Sequence, residues 1–355
     1  MSWRREKMKQ RKKRYWIGGI VLLLIVVIIP FGLSVFIYEQ NFGGRYTTPD
    51  ELKYEVKEFE GLVQTPAFFE SNKQRLLAGY IYTQEETSFP NGVIILAHGL
   101  GGGHNSYLPE IQFMTQNGYT VFAYDGTGTD ESEGSSMKGL PQAIIDLDYA
   151  INYVKNDEQF DCLPIMLYGH SMGGYAVMAV LNEHEDITAV VERSGFDESI
   201  DMIVEAGGQM MGKGIKLLTP YVRFYEYLKF GHYATLSGVE GLGTTKAKVM
   251  LMHSEDDEVV SYQQNFAQYK HLFGANTNFT FVSYEGRGHD VVTNVELKQS
   301  IEKEIKAIYG SLESVPKEQL MAYNGVLYDI DQRLDSVVMR QIIEFYNQSV
   351  VKEYE

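Results

Sequence analysis

The stretch Pro164-Ile-Met-Leu-Tyr-Gly-His-Ser-Met-Gly-Gly174 joins an apolar, strand-like run ending at Gly169 to a helix-like run, Tyr175-Ala-Val-Met-Ala-Val-Leu181, with no loop between them. The chain must therefore turn sharply at Ser171. Such a turn strains the serine backbone, leaves no room for a Cβ at Gly169 or Gly173, and lifts the hydroxyl clear of both flanking elements. The helix N-terminus beneath adds backbone N–H groups and a positive dipole end, which favour negative charge developing beside the serine. The pattern is G-x-S-x-G, a nucleophile elbow. Five-residue matches recur by chance in long chains, and it is the strand before and the helix after that give this one weight.

Outward from the elbow, strand-like and helix-like runs alternate. Gly92-Val-Ile-Ile-Leu-Ala97 and Thr120-Val-Phe-Ala-Tyr124 are short continuous apolar runs, and Leu140 to Val154 carries Ala143, Leu147, Ala150 and Val154 on one helical face. Further strands are predicted at Ala189-Val-Val-Glu-Arg193, Lys248-Val-Met-Leu-Met-His253 and Asn278-Phe-Thr-Phe-Val-Ser-Tyr284, with a helix over Val291 to Ile308. Strands buried on both faces by crossover helices have this character, and ligands in such sheets sit at the carboxyl ends of the strands. Ahead of the alternation, Arg45 to about Pro90 reads as a linker and a lead-in, of which Gln74-Arg-Leu-Leu-Ala-Gly-Tyr-Ile-Tyr82 is the better strand. Ser194 to about Thr245 is longer than a crossover requires and is rich in Met and aromatic residues, including Met202, Met210, Met211, Tyr221, Phe224, Tyr225 and Tyr227. It reads as a helical cap whose residues chiefly pack on one another, with Met210, Met211 and Phe224 taken as pocket-lining candidates. Beyond Ser311, Leu334, Val338, Ile342 and Phe345 at helical spacing predict a docked C-terminal helix.

The chain has 355 residues, enough for one α/β core and additional segments. Its net charge of -16 is unevenly spread: residues 1–14 hold eight Lys or Arg and one Glu, which leaves the remainder near -23. An acidic body repels phosphates and excludes nucleic acid as a partner. Immediately after the basic tail, Tyr15 to Tyr38 is free of charge and centred on Val21-Leu-Leu-Leu-Ile-Val-Val-Ile-Ile29. As a helix it would span about 36 Å, enough for a bilayer. It is too long for the core of a signal peptide, and no small-x-small cleavage site follows in Glu39-Gln-Asn-Phe-Gly-Gly44, so a retained membrane anchor is expected. The positive-inside rule puts the tail in the cytoplasm and everything after Tyr38 outside. Cys162 is the sole cysteine, which rules out an intrachain disulfide, and is read as a small residue, at least partly buried, entering the elbow strand.

An elbow serine needs a base and a carboxylate to orient it. His289 follows strand 278–284 in Tyr284-Glu-Gly-Arg-Gly-His-Asp290, where two glycines let a loop present the imidazole. Asp257 follows strand 248–253 in His253-Ser-Glu-Asp-Asp-Glu258, with Asp256 the neighbouring alternative. The chain order Ser, Asp, His differs from that of the chymotrypsin-like and subtilisin-like enzymes. The remaining histidines, His98, His104, His170, His184, His232 and His271, lack metal-ligand spacing, and the glycines around Gly126, Gly128 and Gly134 are followed by no Gly-Lys-Ser/Thr, so neither a metal nor a nucleotide cofactor is expected.

From about Gln74 to Gly310 the chain resembles the α/β-hydrolase superfamily, in particular its serine aminopeptidase, monoacylglycerol lipase and lysophospholipase-like branch. The likeness is carried by His98-Gly99, Tyr124-Asp-Gly-Thr-Gly-Thr-Asp-Glu-Ser-Glu-Gly134, Gly169-His-Ser-Met-Gly173, and His253-Ser-Glu-Asp-Asp257 together with Gly288-His289. Ser254 departs from the family, which usually has Gly there. The resemblance implies a mostly parallel sheet with helices on both faces, and a triad in which Ser171 attacks a carbonyl, His289 moves the proton and Asp257 orients the imidazole. It also implies an oxyanion hole built from the backbone N–H groups of Met172 and Leu100. The implied organisation is a basic tail (1–14), a transmembrane helix (15–38), a linker and lead-in (39–73), a hydrolase domain (74–310) with its cap at about 194–245, and a C-terminal extension (311–355). An ester hydrolase acting on a lipid-like substrate is the favoured function. An aminopeptidase holding an ammonium on Glu192 or Glu205, an acyltransferase and a non-catalytic binding module are the alternatives.

Overall fold

The computed structural model describes residues 2–85, 90–311, 314–316, 319, 322–323 and 333–350. Among the described residues ten strands form in chain order: β1 (Leu62–Pro66), β2 (Phe69–Ser71), β3 (Arg75–Leu77), β4 (Gly79–Gln84), β5 (Val93–Ala97), β6 (Thr120–Tyr124), β7 (Ile165–His170), β8 (Ala189–Arg193), β9 (Lys248–Ser254) and β10 (Phe279–Tyr284). Eight of them make one sheet in the order β1-β4-β6-β5-β7-β8-β9-β10, and β2 and β3 form a small hairpin beside it. From β6 to β10 every neighbouring pair is parallel, whereas β4 pairs antiparallel with both β1 and β6. The central strands are apolar along their whole length because helices cover both faces: β5, β6 and β8 have no exposed residue.

The helices are α1 (Ser2–Leu23), continued through a π-helical turn, Leu24–Ile28, into α2 (Ile29–Phe42), then α3 (Leu108–Gln116), α4 (Pro141–Asn156), α5 (Met172–Ala179), α6 (Ser199–Met211), α7 (Thr219–Phe230), α8 (Gly238–Thr244), α9 (Phe266–Phe273), α10 (Val295–Tyr309) and α11 (Ser336–Val350). On one face of the sheet α4, α5, α8 and α9 enclose a core that includes Leu147, Val177, Leu242 and Phe266. On the other, α3 and α11 enclose a second core containing Ile111, Met114, Ile342 and Tyr346. The predicted C-terminal helix is therefore docked: the Tyr346 hydroxyl donates to the Leu167 carbonyl beneath the elbow strand at 2.8 Å.

Three sequence readings are adjusted. The strand over 74–82 is divided at Ala78, whose N–H leaves the ladder to donate to Ser132 Oγ at 2.8 Å. Cys162 is exposed with φ +65° in the turn ahead of β7, because the chain folds back through a Leu163 N–H to Phe160 carbonyl bond before the strand begins. After β8, α6 and α7 pack on each other and α7 packs on α2 and α4, whereas α8 lies on the sheet's own helical layer and seats Gly238 and Gly241 against Met178 of α5.

One helix, Lys7–Phe42, is long and apolar enough to cross a membrane among the described residues. Its side chains from Tyr15 to Ile29 lie open to the surroundings. Its last turns do not: Ser34, Tyr38 and Phe42, four residues apart, are buried, and the two aromatic residues join the core around α4 and α5.

Candidate active site

Ser171 occupies the junction of β7 and α5 with φ 56° and ψ −114°, a backbone conformation that a non-glycine residue keeps only when its surroundings impose it. They do so here on three sides. The Ser171 N–H donates to the Arg193 carbonyl of β8 at 2.9 Å, and the Ser171 carbonyl accepts the Tyr175 N–H at 3.0 Å. A Cβ at Gly169 would overlap the Gly173 carbonyl, and one at Gly173 would overlap the Ala97 carbonyl of β5. The strained turn is thus wedged between two neighbouring strands.

The loops after β9 and β10 bring the other two candidates to the same end of the sheet. His289 Nδ1 lies 2.8 Å from Asp257 Oδ2. The Asp257 side chain has no solvent exposure. Its Oδ1 accepts the N–H groups of Val259 and Val260 at 2.8 and 3.0 Å, and His253 Nε2 stands 3.1 Å from its Oδ2. Burial alone would raise its pKa, but the bonds from His253, His289 and Val260 outweigh it and hold the carboxyl well below the usual carboxylate range. The His289 ring faces the elbow: it lies 4.9 Å, centroid to centroid, from His170, the residue before Ser171, and His170 Nε2 is 3.3 Å from the His289 carbonyl. No hydrogen bond joins Ser171 Oγ to the imidazole among the described residues, and free enzymes often close that gap only around substrate.

Asp256 has a different task. Its Oδ1 accepts the Ser254 hydroxyl at 2.5 Å and the Gly288 N–H at 3.3 Å, so it braces the loop that carries His289 and leaves the ring to Asp257. Ser254 also accepts the Arg287 N–H at 3.2 Å, which gives this departure from the family pattern a structural use. Leu100 and Met172 line one small cavity, of about 20 Å³, between the β5 turn and the start of α5. Neither of their N–H groups has an acceptor among the loop and turn backbone bonds of the described residues.

Several buried groups around the site were not singled out by sequence. Tyr107 OH accepts the Gly99 N–H at 2.9 Å and lies 2.9 Å from His170 Nδ1, tying the β5 turn to the elbow. Burial, with the charges of Arg193 and His289, holds the His170 pKa well below the usual histidine range. Arg193 is itself buried, 2.8 Å from Asp290 and 3.5 Å from Glu110, and Arg333 approaches Asp290 at 3.7 Å from the C-terminal extension. The residue after His289 is thus clamped from β8 and from the chain's far end. Only the charged residues inside otherwise apolar segments, Arg193 ending β8 and Glu110 in α3, could have signalled this.

The other candidates are dispersed. Glu192 is 1% exposed, accepts the Gly195 N–H, and has its pKa pushed up to about 7 by burial against the opposing charge of His253. It faces the protein interior, where a substrate ammonium could not reach it. Glu205 is half-buried on α6, and its pKa is raised by burial and by the charges of Asp257 and Asp201. Phe224 is 55% exposed on α7 and packs on Phe31 of α2 at 5.8 Å. The side chains of Met210 and Met211 lie outside the described residues. No group of three or more His, Cys, Asp or Glu is placed to hold a metal among the described residues.

An eight-stranded, mostly parallel sheet with a strained serine turn at the carboxyl end of a central strand is the architecture of the α/β-hydrolase fold, and this chain has that fold. The family model described as serine aminopeptidase, S33, matches residues 88–231. The uncharacterized protein YfhR of Escherichia coli O157:H7 is 26% identical over 176 residues, covering 48% of this chain and 55% of that protein. The monoglyceride lipase of Saccharomyces cerevisiae is 24% identical over 191 residues, covering 52% of this chain and 59% of the lipase. The chain thus spans a little over half the length of these curated relatives. Among solved structures, an esterase of Pyrococcus furiosus superposes with a TM-score of 0.53 at 16% identity, over 79% of this chain and 97% of the esterase, a likeness of fold.

Proposed function

We propose that the protein is a membrane-anchored serine hydrolase that cleaves carboxylic esters of lipid-like, amphiphilic acyl groups. The observation that carries this reading is the 2.8 Å contact between buried Asp257 and His289, on a loop that sets the imidazole beside the strained turn holding Ser171. In the first half-reaction Ser171 Oγ bonds to the ester carbonyl carbon as its proton passes to His289. The tetrahedral oxyanion is held by the Leu100 and Met172 N–H groups, worth about 3 kcal/mol for one such donor. Collapse breaks the bond to the alkoxy oxygen, which takes the proton from His289 and departs as the alcohol. Water then attacks the acyl-enzyme with His289 as base, and the carboxylic acid leaves as Ser171 regains its proton. Asp257 keeps the imidazole in the tautomer that presents Nε2 and stabilises the imidazolium.

The membrane part of the reading is supported by the length and exposure of the N-terminal helix, and the basic cluster before it argues for a cytoplasmic N-terminus with the catalytic domain outside. The ester preference is supported by the likeness to a monoglyceride lipase and by the apolar surfaces of the cap. An amide-cleaving reading draws on the name of the matching family model and on Glu205, the cap carboxylate within electrostatic reach of Asp257. A fluorophosphonate probe tests the chemistry: Ser171 is expected to be labelled and Ser171→Ala not, with turnover of medium-chain esters above that of aminoacyl amides. Full activity of Ser171→Ala would remove the mechanism, and amide turnover that depends on Glu205 would replace the ester reading. Protease added to intact cells is expected to reach the catalytic domain; its protection would reverse the orientation.

A further inference from the structure

The anchor helix is more than a tether. On one side α2 faces the cap across an apolar cleft of about 370 Å³. Its walls include Ser34 and Ile37 from α2 and Met202, Ile203 and Val222 from the cap, and Leu100, the candidate oxyanion residue, reaches it from the site. The two walls are joined at several levels. Tyr38 OH donates to Glu226 of α7 at 2.9 Å, Tyr225 OH donates to Glu39 at 2.7 Å, and Lys229 pairs with Glu39. Farther toward the N-terminus Phe31 packs on Phe224 and Tyr225, and the Tyr221 hydroxyl donates to the Val26 carbonyl.

These contacts fix where the cap sits relative to a bilayer. About 20 helical residues cross a hydrocarbon core of about 30 Å. Counted from Tyr15, directly after the basic cluster, that core ends near Ser34, so Val26 and Phe31 belong to its outer half. The cap residues that touch them lie at the depth of the outer leaflet. Consistent with this, Leu217, Phe224, Tyr227 and Leu228 are 77, 55, 55 and 62% exposed on the cap, and Phe224 packs on Phe31 of α2.

We propose that the anchor helix forms one wall of the acyl-chain site, and that the chain of a lipid in the surrounding leaflet enters the cleft laterally between α2 and the cap to reach Ser171. The inference rests on the hydrolase and membrane-span readings above. It assigns α2 a part in substrate binding, with Ile37 on one wall and Ile203 on the other.

The test uses the full chain in phospholipid nanodiscs and an alkyl fluorophosphonate whose dodecyl chain ends in a diazirine. Ser171 Oγ displaces fluoride at phosphorus, and irradiation then fixes the tail to whatever surrounds it. Tail adducts on residues 29–42 and 199–222 are the expected result. Labelling of Ser171 with tail adducts elsewhere would overturn the lateral site and leave the hydrolase standing; absence of Ser171 labelling would bring down both. Ile37→Trp and Ile37→Ala give a second readout. Each methylene kept out of the cleft is worth about fourfold in rate, so Trp is expected to lower the dodecanoyl-to-acetyl ratio of kcat/KM by roughly tenfold or more. Ala is expected to move the preference toward longer or bulkier chains. Ratios unchanged in both variants, or shifted in the same direction, would overturn the assignment.

Discussion

Replacing Glu192 with glutamine is expected to change how stability depends on pH while leaving the fold intact. Glu192 lies on β8 beside the elbow, 1% exposed, with its carboxyl against the Gly195 N–H and in the field of His253. Burial raises its pKa from the ordinary 4.5 to about 7. Between those pH values the folded protein keeps a proton that the unfolded chain has released, so the folded state binds more protons and stability falls as pH rises. The contribution is fully favourable below about 4.5, is lost through about 7, and amounts to about 3 kcal/mol in total at 1.36 kcal/mol per pH unit.

Glutamine keeps an oxygen for the Gly195 N–H and cannot ionise. Urea unfolding followed by far-ultraviolet circular dichroism at pH 4.5 and 8, with both proteins in the same nanodiscs, measures the effect. Asp197 and Glu226, whose pKa values are also raised by burial to about 6 and about 7, titrate in the same window, so the informative quantity is the difference between variant and parent. Glu192→Gln is expected to gain about 3 kcal/mol relative to the parent on going from pH 4.5 to 8. A difference that is the same at both pH values would refute the reading of Glu192 as a buried carboxyl that ionises at a cost.

Asp257→Asn is expected to lower kcat on a medium-chain ester by up to ~10⁴ through the wrong imidazole tautomer, while Asp256→Asn, which only weakens the brace on Gly288, is expected to cost far less; the reverse order in steady-state assays would reassign the orienting carboxylate. Arg333→Met leaves Glu110 and Asp290 facing Arg193 alone and is expected to cost on the order of 3 kcal/mol of stability, read as a lowered Tm. An unchanged Tm would show that the C-terminal extension does not support the His289 loop. Gly173→Ala drives a methyl into the Ala97 carbonyl and is expected to abolish fluorophosphonate labelling, since the elbow must open to relieve the overlap; full labelling would mean that the turn is not wedged as described.

The central strands were legible because each is an apolar run buried on both faces, and β6 and β8 fall on the residues the pattern marks, Thr120–Tyr124 and Ala189–Arg193. The division at Ala78 was not, since it depends on Ser132, more than fifty residues away, supplying the acceptor that draws the N–H out of the ladder. In the site, residue types and chain order singled out Ser171, Asp257 and His289 because each stands just after a strand that ends at the same side of a parallel sheet. The family pattern favoured Asp257 over Asp256, and in the structure the two adjacent residues point in different directions, Asp256 toward the Gly288 backbone and Asp257 toward the imidazole. The clamp on Asp290 was hidden for another reason. Its two arginines are separated by 140 residues in the sequence, and nothing local to either names the other.

The N-terminal helix illustrates a limit of a different kind. Hydropathy reports that a side chain avoids water and is silent on whether lipid or protein replaces it, so an unbroken apolar run reads the same whether the helix is free in a bilayer or half-covered by a domain. What separates the two is where polar groups interrupt the run. Ser34 and Tyr38 stand four residues apart and, with Phe42, form the one buried stripe of α2; Tyr38 spends its hydroxyl on Glu226, while the next residue, Glu39, meets Lys229. A helix surrounded only by lipid gains nothing from a stripe of that spacing, whereas a helix packed on a domain requires one. The small polar interruptions near the end of α2 therefore mark the side on which the α/β domain is fastened. The cleft opens beside that stripe because the cap is held to the helix there.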